Sequence, residues 1–166
     1  MNMSHRLVMA LSAAIGSLVA APLSADPVGQ VKVSSGAVFI ERTGQRVAAP
    51  VGTKVEAADS IVTGADGAAG ITFIDNSRLS VGPNSTLAIS RFTFNPTTHE
   101  GNFDSSLKRG TLSVISGKLA KRSPDAMTVS TPSTILGVRG TEFDDDEFVI
   151  YDGKQQRIEY LVEFTL

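Results

Sequence analysis

The stretch from residue 59 to residue 94 reads DSIVTGADGAAGITFIDNSRLSVGPNSTLAISRFTF, and it decides the fold class. Its apolar side chains fall on alternate positions in three runs, namely Ala69, Ile71 and Phe73, then Leu79 and Val81, then Leu87 and Ile89. This period of two predicts strands with one buried face, because successive side chains leave a pleated backbone on opposite sides. The segments between the runs are rich in Gly, Asp, Asn, Ser and Pro, which favour turns.

Turns that recur about every ten residues are typical of an all-β domain. The sequence therefore predicts a compact antiparallel β-sandwich or β-roll of many short strands, with a short β-solenoid-like roll as the alternative. Nearer the N-terminus, Val31 and Val33 are spaced by two residues, as are Val38 and Ile40, so each pair is expected to share a buried face. Residues 42–46 are expected to form a polar turn, and residues 95–104 a polar loop.

Composition excludes several classes of function. The 166 residues carry 15 basic and 17 acidic side chains, and this balance argues against a nucleic-acid partner held by phosphate contacts. The chain has no Cys and only two His, His5 and His99, so disulfides and a Cys-based zinc site are excluded. Aromatic residues are scarce at 6% and Trp is absent, which argues against a stacking platform for bases or sugars. We expect no cofactor and no metal.

The N-terminus has the pattern of a secretory signal peptide at residues 1–25. A short segment with His5 and Arg6 precedes an apolar run at residues 7–21, which is too short to span a bilayer comfortably. Cleavage is expected after Ala25, with Ala21 as the alternative, and a buried N-terminal helix is the competing interpretation. Residues 26–166 are then one domain without a transmembrane segment, and the expected location is periplasmic or secreted.

Two motif blocks resemble the FecR-like domain family of bacterial envelope proteins. The first contains ADSIVTG (58–64), DNS (75–77) and PNS (83–85), and the second contains SGKLAK (116–121) and TPSTILGVRGTEF (131–143). The resemblance covers about residues 29–143, and residues 144–166 form a divergent C-terminal hairpin. Ala58 and Asn76 stand where the family usually has Gly, and Asn is the milder change because it tolerates a left-handed turn. The resemblance implies these signature residues, which we interpret as structural: Asp59, Thr63, Gly64, Asp75, Ser77, Pro83, Asn84, Ser85, Thr131, Pro132, Gly137, Arg139, Gly140 and Thr141.

Arg139 is the signature residue most like a functional one. A guanidinium within so apolar a run needs acceptors if it is buried, and turn carbonyls or a carboxylate such as Asp59 or Asp75 would supply them. A contact with a ligand or partner is the alternative.

Three other patterns have simpler interpretations than the chemistry they suggest. Ser105 and Lys108 match Ser-x-x-Lys by chance, since the companion motifs of penicillin-interacting enzymes are missing. The acidic run 144–147 lacks the alternating ligands and central Gly of a calcium loop, so a solvated turn is expected. Asn84 begins a glycosylation sequon that the Pro-Asn-Ser turn explains better.

No nucleophile, base and metal ligand occur together, so the protein is not expected to be an enzyme. The resemblance implies a non-enzymatic binding module that contacts a protein partner in envelope sensing or regulation. A structural or adhesive surface module is the alternative, and a cell-wall enzyme is a distant third. At the C-terminus, residues 158–166 are expected to form a strand that lies against residues 148–151 across the Asp152-Gly153 turn. Its outer edge is expected to dock a partner or a second copy of the chain, with a frayed edge as the alternative.

Overall fold

The computed structural model describes residues 26–133, 135–137, 147–151 and 154–157, and within them the fold is almost entirely β-structure. One short helix, α1, spans Lys118–Arg122. The strands are β1 (Pro27–Ser35), β2 (Val38–Arg42), β3 (Gln45–Ala48), β4 (Lys54–Glu56), β5 (Ser60–Thr63), β6 (Ala68–Phe73), β7 (Arg78–Val81), β8 (Thr86–Phe94), β9 (Gly101–Arg109), β10 (Thr111–Ile115), β11 (Met127–Ser130), β12 (Ile135–Gly137), β13 (Glu147–Tyr151) and β14 (Lys154–Arg157).

The strands form two seven-stranded sheets that pack face to face. Sheet A has the order β14-β13-β10-β7-β6-β1-β4, and sheet B has the order β12-β11-β9-β8-β5-β2-β3. The chain passes repeatedly from one sheet to the other. Apart from the edge strands β4 and β3, strand number rises steadily from one end of each sheet to the other. Strands β9 and β11 pair in parallel, whereas the other pairs among the described residues are antiparallel. The prediction of an all-β sandwich is confirmed.

The core lies between the sheets and follows the predicted alternation. All seven apolar residues of the three runs in the 59–94 stretch are buried, and so are Val38 and Ile40. Three phenylalanines, Phe73, Phe92 and Phe103, meet at the centre with ring centroids 4.5–5.5 Å apart. Phe73 belongs to sheet A and the other two to sheet B, so this aromatic cluster joins the two layers. Aromatic pairs at such separations add stability beyond the area that they bury.

The prediction that Val31 and Val33 share a buried face is wrong. Val31 is 1% exposed and Val33 is 57% exposed. The register between β1 and β6 shifts between these two residues, as it does at a β-bulge. One extra residue in a strand reverses the side-chain alternation beyond it, which turns Val33 outward.

Two segments expected to be irregular contribute strands instead. The polar turn predicted at residues 42–46 is reduced to Thr43 and Gly44, because β3 begins at Gln45 and pairs with β2. The polar loop predicted at residues 95–104 ends at Glu100, because β9 begins at Gly101 and pairs with β8. In both cases the backbone pairing of a neighbouring strand outweighs the low apolar content of the segment.

The strand that forms a C-terminal hairpin with β13 is β14, which precedes the predicted partner strand at residues 158–166. Strand β13 pairs with β14 in a register that places Tyr151 opposite Lys154 across the two-residue connection at 152–153. Strand β13 also pairs with β10, which attaches the hairpin to sheet A. The predicted docking edge at residues 158–166 lies outside the described residues. No helix among the described residues has the length and hydropathy that crossing a membrane requires.

The two positions that depart from glycine in the family pattern both have positive φ, 71° at Ala58 and 70° at Asn76. Both side chains are exposed, and each residue lies in a turn just before a buried aspartate or serine. A left-handed conformation costs an ordinary L-residue about 1–2 kcal/mol, whereas Asn tolerates it better. Ala58 therefore holds the more strained backbone of the two.

We expect Ala58→Gly to raise the free energy of unfolding by about 0.5–1 kcal/mol, because the relief of left-handed strain exceeds the entropy that glycine adds to the unfolded chain. Asn76→Gly should change it by less. Urea unfolding of each variant measures the effect.

Ala65→Gly is the matched control, because Ala65 is also an exposed turn residue but is not among those with positive φ. This substitution should lower the free energy of unfolding by about 0.5–1 kcal/mol. Equal destabilisation by Ala58→Gly and Ala65→Gly would contradict the interpretation of strain at residue 58.

Candidate functional site

Thr63 stands at the centre of a buried hydrogen-bond cluster that joins three turns. It is 2% exposed, its Oγ1 donates to the carbonyl of Gly82 at 2.6 Å and it accepts from the amide of Ser85 at 2.9 Å. Ser85 in turn accepts from the amide of Thr111 through Oγ at 2.9 Å. The end of β5 in sheet B is thereby bonded to the turn after β7 and to the start of β10 in sheet A.

The backbone of the same turns packs closely around Gly64. Its amide donates to the carbonyl of Ala37 at 2.8 Å, and its carbonyl accepts from the amide of Asn84 at 2.9 Å. A Cβ at Gly64 would lie 2.8 Å from the Cβ of Ala37, which leaves no room for a side chain. Pro83 and Asn84 form the exposed tip of the turn, where Asn84 has a φ of 53°.

A second buried cluster connects the turn between β6 and β7 to the segment before α1. Asp75 and Ser77 are fully buried, and the carboxylate accepts from the amide and the hydroxyl of Ser77 at 3.0 and 2.6 Å. The Ser77 Oγ also accepts from the amide of Gly117 at 3.1 Å, and the carbonyl of Asp75 accepts from the amide of Lys118 at 2.8 Å. Because the backbone of Asp75 and Ser77 lies directly against Gly117, a Cβ there would collide with both.

The third cluster pairs the buried carboxylate of Asp59 with the guanidinium of Arg42. The side chain of Asp59 is 0% exposed and receives two parallel bonds of 2.7 Å from Nε and Nη2 of Arg42, while the amide of Glu56 donates to its Oδ2 at 2.8 Å. Arg42 also bonds Glu56 Oε1 at 2.6 Å and the carbonyl of Lys54 at 3.1 Å. Its hydrogen bonds to Asp59 raise the pKa of Arg42, although burial opposes the shift. The cluster joins β2 to β4 and to the start of β5.

The remaining signature residues are less enclosed or lie beyond the described residues. Thr131 is half-buried, Pro132 and Gly137 are exposed, and the Thr131 Oγ1 accepts from the amide of Ser133 at 3.4 Å. Arg139, Gly140 and Thr141 lie outside the described residues. Of the two carboxylates expected to pair with Arg139, that of Asp59 is already bonded to Arg42, a residue that the motif analysis did not single out. In the sequence, Arg42 stands out only as a lone Arg that ends a run of alternating residues, immediately before a Thr-Gly turn.

The other candidate residues do not assemble into a catalytic or metal site. Ser105 is buried and Lys108 is exposed in strand β9, since residues three apart in a strand point to opposite faces. His99 stacks on Phe94 in a surface loop, with ring centroids 6.0 Å apart. No group of three or more His, Cys, Asp or Glu able to hold a metal ion occurs among the described residues, and residues 144–146 of the acidic run lie outside them.

A cleft opens where the two sheets end at β3 and β4, and we call it the edge cleft. Its volume is about 340 Å³, and its lining includes Ile40, Arg42, Gln45, Val47, Thr53 and Lys54. Ile40 is 1% exposed and forms the floor, whereas its cross-strand neighbour Val47 is 49% exposed and forms a wall. Every residue of β3, the edge strand of sheet B, is exposed.

The outer edge of β3 presents backbone groups that face away from β2. The amide of Ala49 donates to the carbonyl of Val38 at 3.0 Å, which marks residues 38 and 49 as a hydrogen-bonded pair. Hydrogen bonding alternates along an antiparallel ladder, so the backbone amides and carbonyls of Gln45 and Val47 also point toward β2. The backbone amides and carbonyls of Arg46 and Ala48 point away from it. The Arg46 guanidinium lies 4.2 Å above the ring of Phe39 on the outer surface of sheet B.

The fold and these buried polar turns define an all-β sandwich domain without an assembled catalytic centre in its described part. The model of the family described as FecR protein matches residues 59–162, which is more than half of the chain. The chain therefore belongs to the FecR family, as the sequence motifs predicted. Comparison with curated proteins and with solved structures yields no match in either case.

Replacement of Arg42 by Ala should lower the free energy of unfolding by about 3 kcal/mol, because it leaves the buried carboxylate of Asp59 without its cation. This is the lower end of the range for broken buried pairs, since the Arg42 side chain is 36% exposed and water can reach its place. Arg42→Lys should recover little, because an ammonium cannot bond both carboxylate oxygens in parallel. Chemical denaturation measures each variant.

Arg46→Ala is the control, since Arg46 is exposed and contacts only the Phe39 ring and, at 3.9 Å, Glu41. The Arg46→Ala substitution should lower the free energy of unfolding by less than about 1 kcal/mol. An Arg42→Ala variant no less stable than Arg46→Ala would show that the Asp59 pair does not support the fold.

Thr63→Val should lower the free energy of unfolding by about 2–3 kcal/mol, because this nearly isosteric change leaves the Gly82 carbonyl and the Ser85 amide without their hydroxyl partner. Thr63→Ser keeps the hydroxyl and should recover most of the loss. Thr53→Val is the matched control, as its hydroxyl bonds the carbonyl of Pro50 in an exposed turn where water can replace it. Thermal unfolding that lowers the Tm equally in both Val variants would contradict a special role for the buried cluster.

Proposed function

We propose that this protein is a non-enzymatic binding module of the bacterial cell envelope that recognises a protein partner through strand β3. Membership of the FecR family supports this proposal, because that family is regulatory and is associated with envelope sensing. A partner protein is the finer part of the proposal, together with export by the signal peptide at residues 1–25 to the periplasm or beyond.

The observation that carries the proposal is the outer edge of β3 beside the edge cleft, which no other described strand pairs with. Exposed edge strands invite pairing with another chain, and proteins that avoid it place prolines or inward-pointing charges there. Strand β3 has the sequence QRVA, whose only charge, Arg46, lies on the outer face over Phe39. The edge lies N-terminal to residues 59–162 and is therefore a feature of this chain beyond the segment that the family model matches.

The occupant that fits this edge is an extended segment of a partner protein. Only an extended backbone can bond the outward amides and carbonyls of Arg46 and Ala48 in register. Alternate side chains of such a segment would point into the edge cleft, where Ile40 and Val47 offer an apolar surface and Gln45 and Lys54 a polar rim. The backbone bonds supply affinity, and the cleft selects the side chain that enters it.

The buried signature residues support the fold in this proposal and do not contact the partner. Thr63, Asp75, Ser77 and Ser85 are 0–2% exposed, and their polar atoms bond neighbouring turns. A binding surface in this domain is therefore to be sought at the rims of the sheets. The competing function is a structural or adhesive module that self-associates, for example through the predicted edge at residues 158–166. The experiment below distinguishes this function from partner binding.

Ala48→Pro should abolish partner binding and leave the fold intact. Proline removes the outward amide of residue 48, which is not part of the ladder with β2, and edge strands tolerate proline at such positions. A photo-reactive residue at Val47 should crosslink the partner in envelope extract, with identification by mass spectrometry, and Ala48→Pro should remove that crosslink. Thermal unfolding checks that the Tm changes by only a few degrees.

Ala48→Thr is the matched control, because it keeps the amide and adds a side chain that strands favour.

For the cleft, Val47→Asp should weaken binding, whereas Val51→Asp should not, since Val51 is 62% exposed in the turn beyond the cleft. A crosslink that persists in Ala48→Pro would refute pairing through β3. A crosslink between copies of the chain would favour the adhesive function.

A further inference from the structure

The end of the sandwich that holds the edge cleft carries two edge strands, one from each sheet. Sheet B ends at β3 and sheet A ends at β4, and no other described strand pairs with the outer side of either. On β3, the backbone groups of Arg46 and Ala48 point outward, away from β2. Strand β4 spans only Lys54–Glu56, and its outer edge is bonded differently from that of β3.

The pairing of β4 with β1 determines which of its backbone groups point outward. The amide of Val31 donates to the carbonyl of Thr53 at 2.9 Å, which marks these residues as a hydrogen-bonded pair. Bonded pairs recur at every second residue of an antiparallel ladder, so the backbone groups of Val55 also point toward β1. The amides and carbonyls of Lys54 and Glu56 therefore point away from β1, toward the outer edge of sheet A.

Groups that belong to the other sheet bond this outer edge. The carbonyl of Lys54 accepts from Nη2 of Arg42 at 3.1 Å, and the amide of Glu56 donates to Oδ2 of Asp59 at 2.8 Å. The carbonyl of Glu56 accepts from the amide of Asp59 at 3.3 Å. A strand that approached β4 from outside would have to break these three bonds. It would also have to displace the side chain of Asp59, which is 0% exposed and paired with Arg42.

We propose that Arg42 and Asp59 close the edge of sheet A to strand addition, so that an extended partner segment adds to β3 and not to β4. Native proteins protect edge strands by making them very short and by covering them with other parts of the chain, and β4 has both kinds of protection. Arg42 ends β2 and Asp59 immediately precedes β5, so the cover comes from sheet B. The choice of β3 rests on the proposed function, whereas the closure of β4 does not.

The closure makes Arg42 and Asp59 specificity-determining residues that act without a contact to the partner's backbone. Packed sheets lie about 10 Å apart, so two open edges at one end of a sandwich would offer the same segment two positions. An open β4 would also allow two copies of the chain to pair with each other through this strand. Closing one edge leaves a single position, at β3, where alternate side chains of the segment meet the edge cleft.

Hydrogen exchange of backbone amides in the unmodified full chain, followed by NMR, tests the closure directly. The Glu56 amide is bonded to a buried carboxylate and should be at least about 100-fold better protected than the Ala48 amide. Equally fast exchange of the two amides would overturn the proposal, because the edge of β4 would then be open. Strong protection of both amides would support the closure of β4 and would contradict the proposed pairing through β3, so the two ideas fail separately.

The double variant Arg42→Met/Asp59→Leu should open β4 without leaving a charge buried and unpaired. In sedimentation equilibrium of the purified chain, we expect its self-association to be at least about tenfold tighter than that of the wild-type chain. Lys54→Pro, added to the double variant, should return self-association to the wild-type level. Proline removes the outward amide at the first residue of an edge strand, where proline is tolerated.

Arg91→Met/Asp104→Leu is the matched control. It removes another Arg–Asp pair of sheet B, bonded at 3.1 Å between β8 and β9, and these strands lie inside the sheet rather than at its edge. This control should self-associate no more than the wild-type chain. Equal association of the two double variants, or association that Lys54→Pro does not reduce, would overturn the proposal. Thermal unfolding checks that each variant is folded, and if the opened variant is not, the exchange measurement on the unmodified chain decides.

Discussion

A turn that passes between two packed sheets takes backbone groups out of water, and each such group needs a partner. Much of this sandwich depends on how that requirement is met. Thr63, Ser77 and Ser85 each use one hydroxyl both to donate and to accept, and these bonds join separate turns of the chain. The carboxylate of Asp59 only accepts, from the Arg42 guanidinium and the Glu56 amide, and Arg42 neutralises its charge. Short polar side chains suit these positions because they bond neighbouring backbone without filling the core.

The same requirement separates the residues that define the family from the surfaces available to ligands. The motif residues that are buried have their polar atoms bonded to neighbouring turns and cannot also serve a partner. The backbone that stays exposed for a proposed partner lies where a sheet ends, as at β3. Members of one family with this design can share the buried turns and differ at the rims.

The alternation of apolar residues predicted β6 to β8 and their buried faces, because one hydrophobic face dictates both period and register. It failed at Val33, where a bulge reversed the alternation, and no residue type marks a bulge uniquely. Helix α1 was missed because KLAKR is too short to display a helical period. The positive φ of Asn76 was predictable from its residue type, whereas that of Ala58 was not. The pairing of Arg42 with Asp59, 17 residues away, depends on the tertiary fold, so the local sequence around Arg42 does not identify its partner.

The order of strands in the two sheets also says how this chain can acquire its structure. In both sheets the later strands join at one end, so that no strand of the C-terminal half has to insert between two strands of the N-terminal half. A chain that emerges N-terminus first from a ribosome or a translocation channel can therefore build the sandwich in the order of its synthesis. Each new pair of strands finds a template already in place, and the entropy of closing long loops is largely avoided. Until the last strands arrive, the growing end is the unprotected part of the molecule, and assembly in sequence keeps that end short.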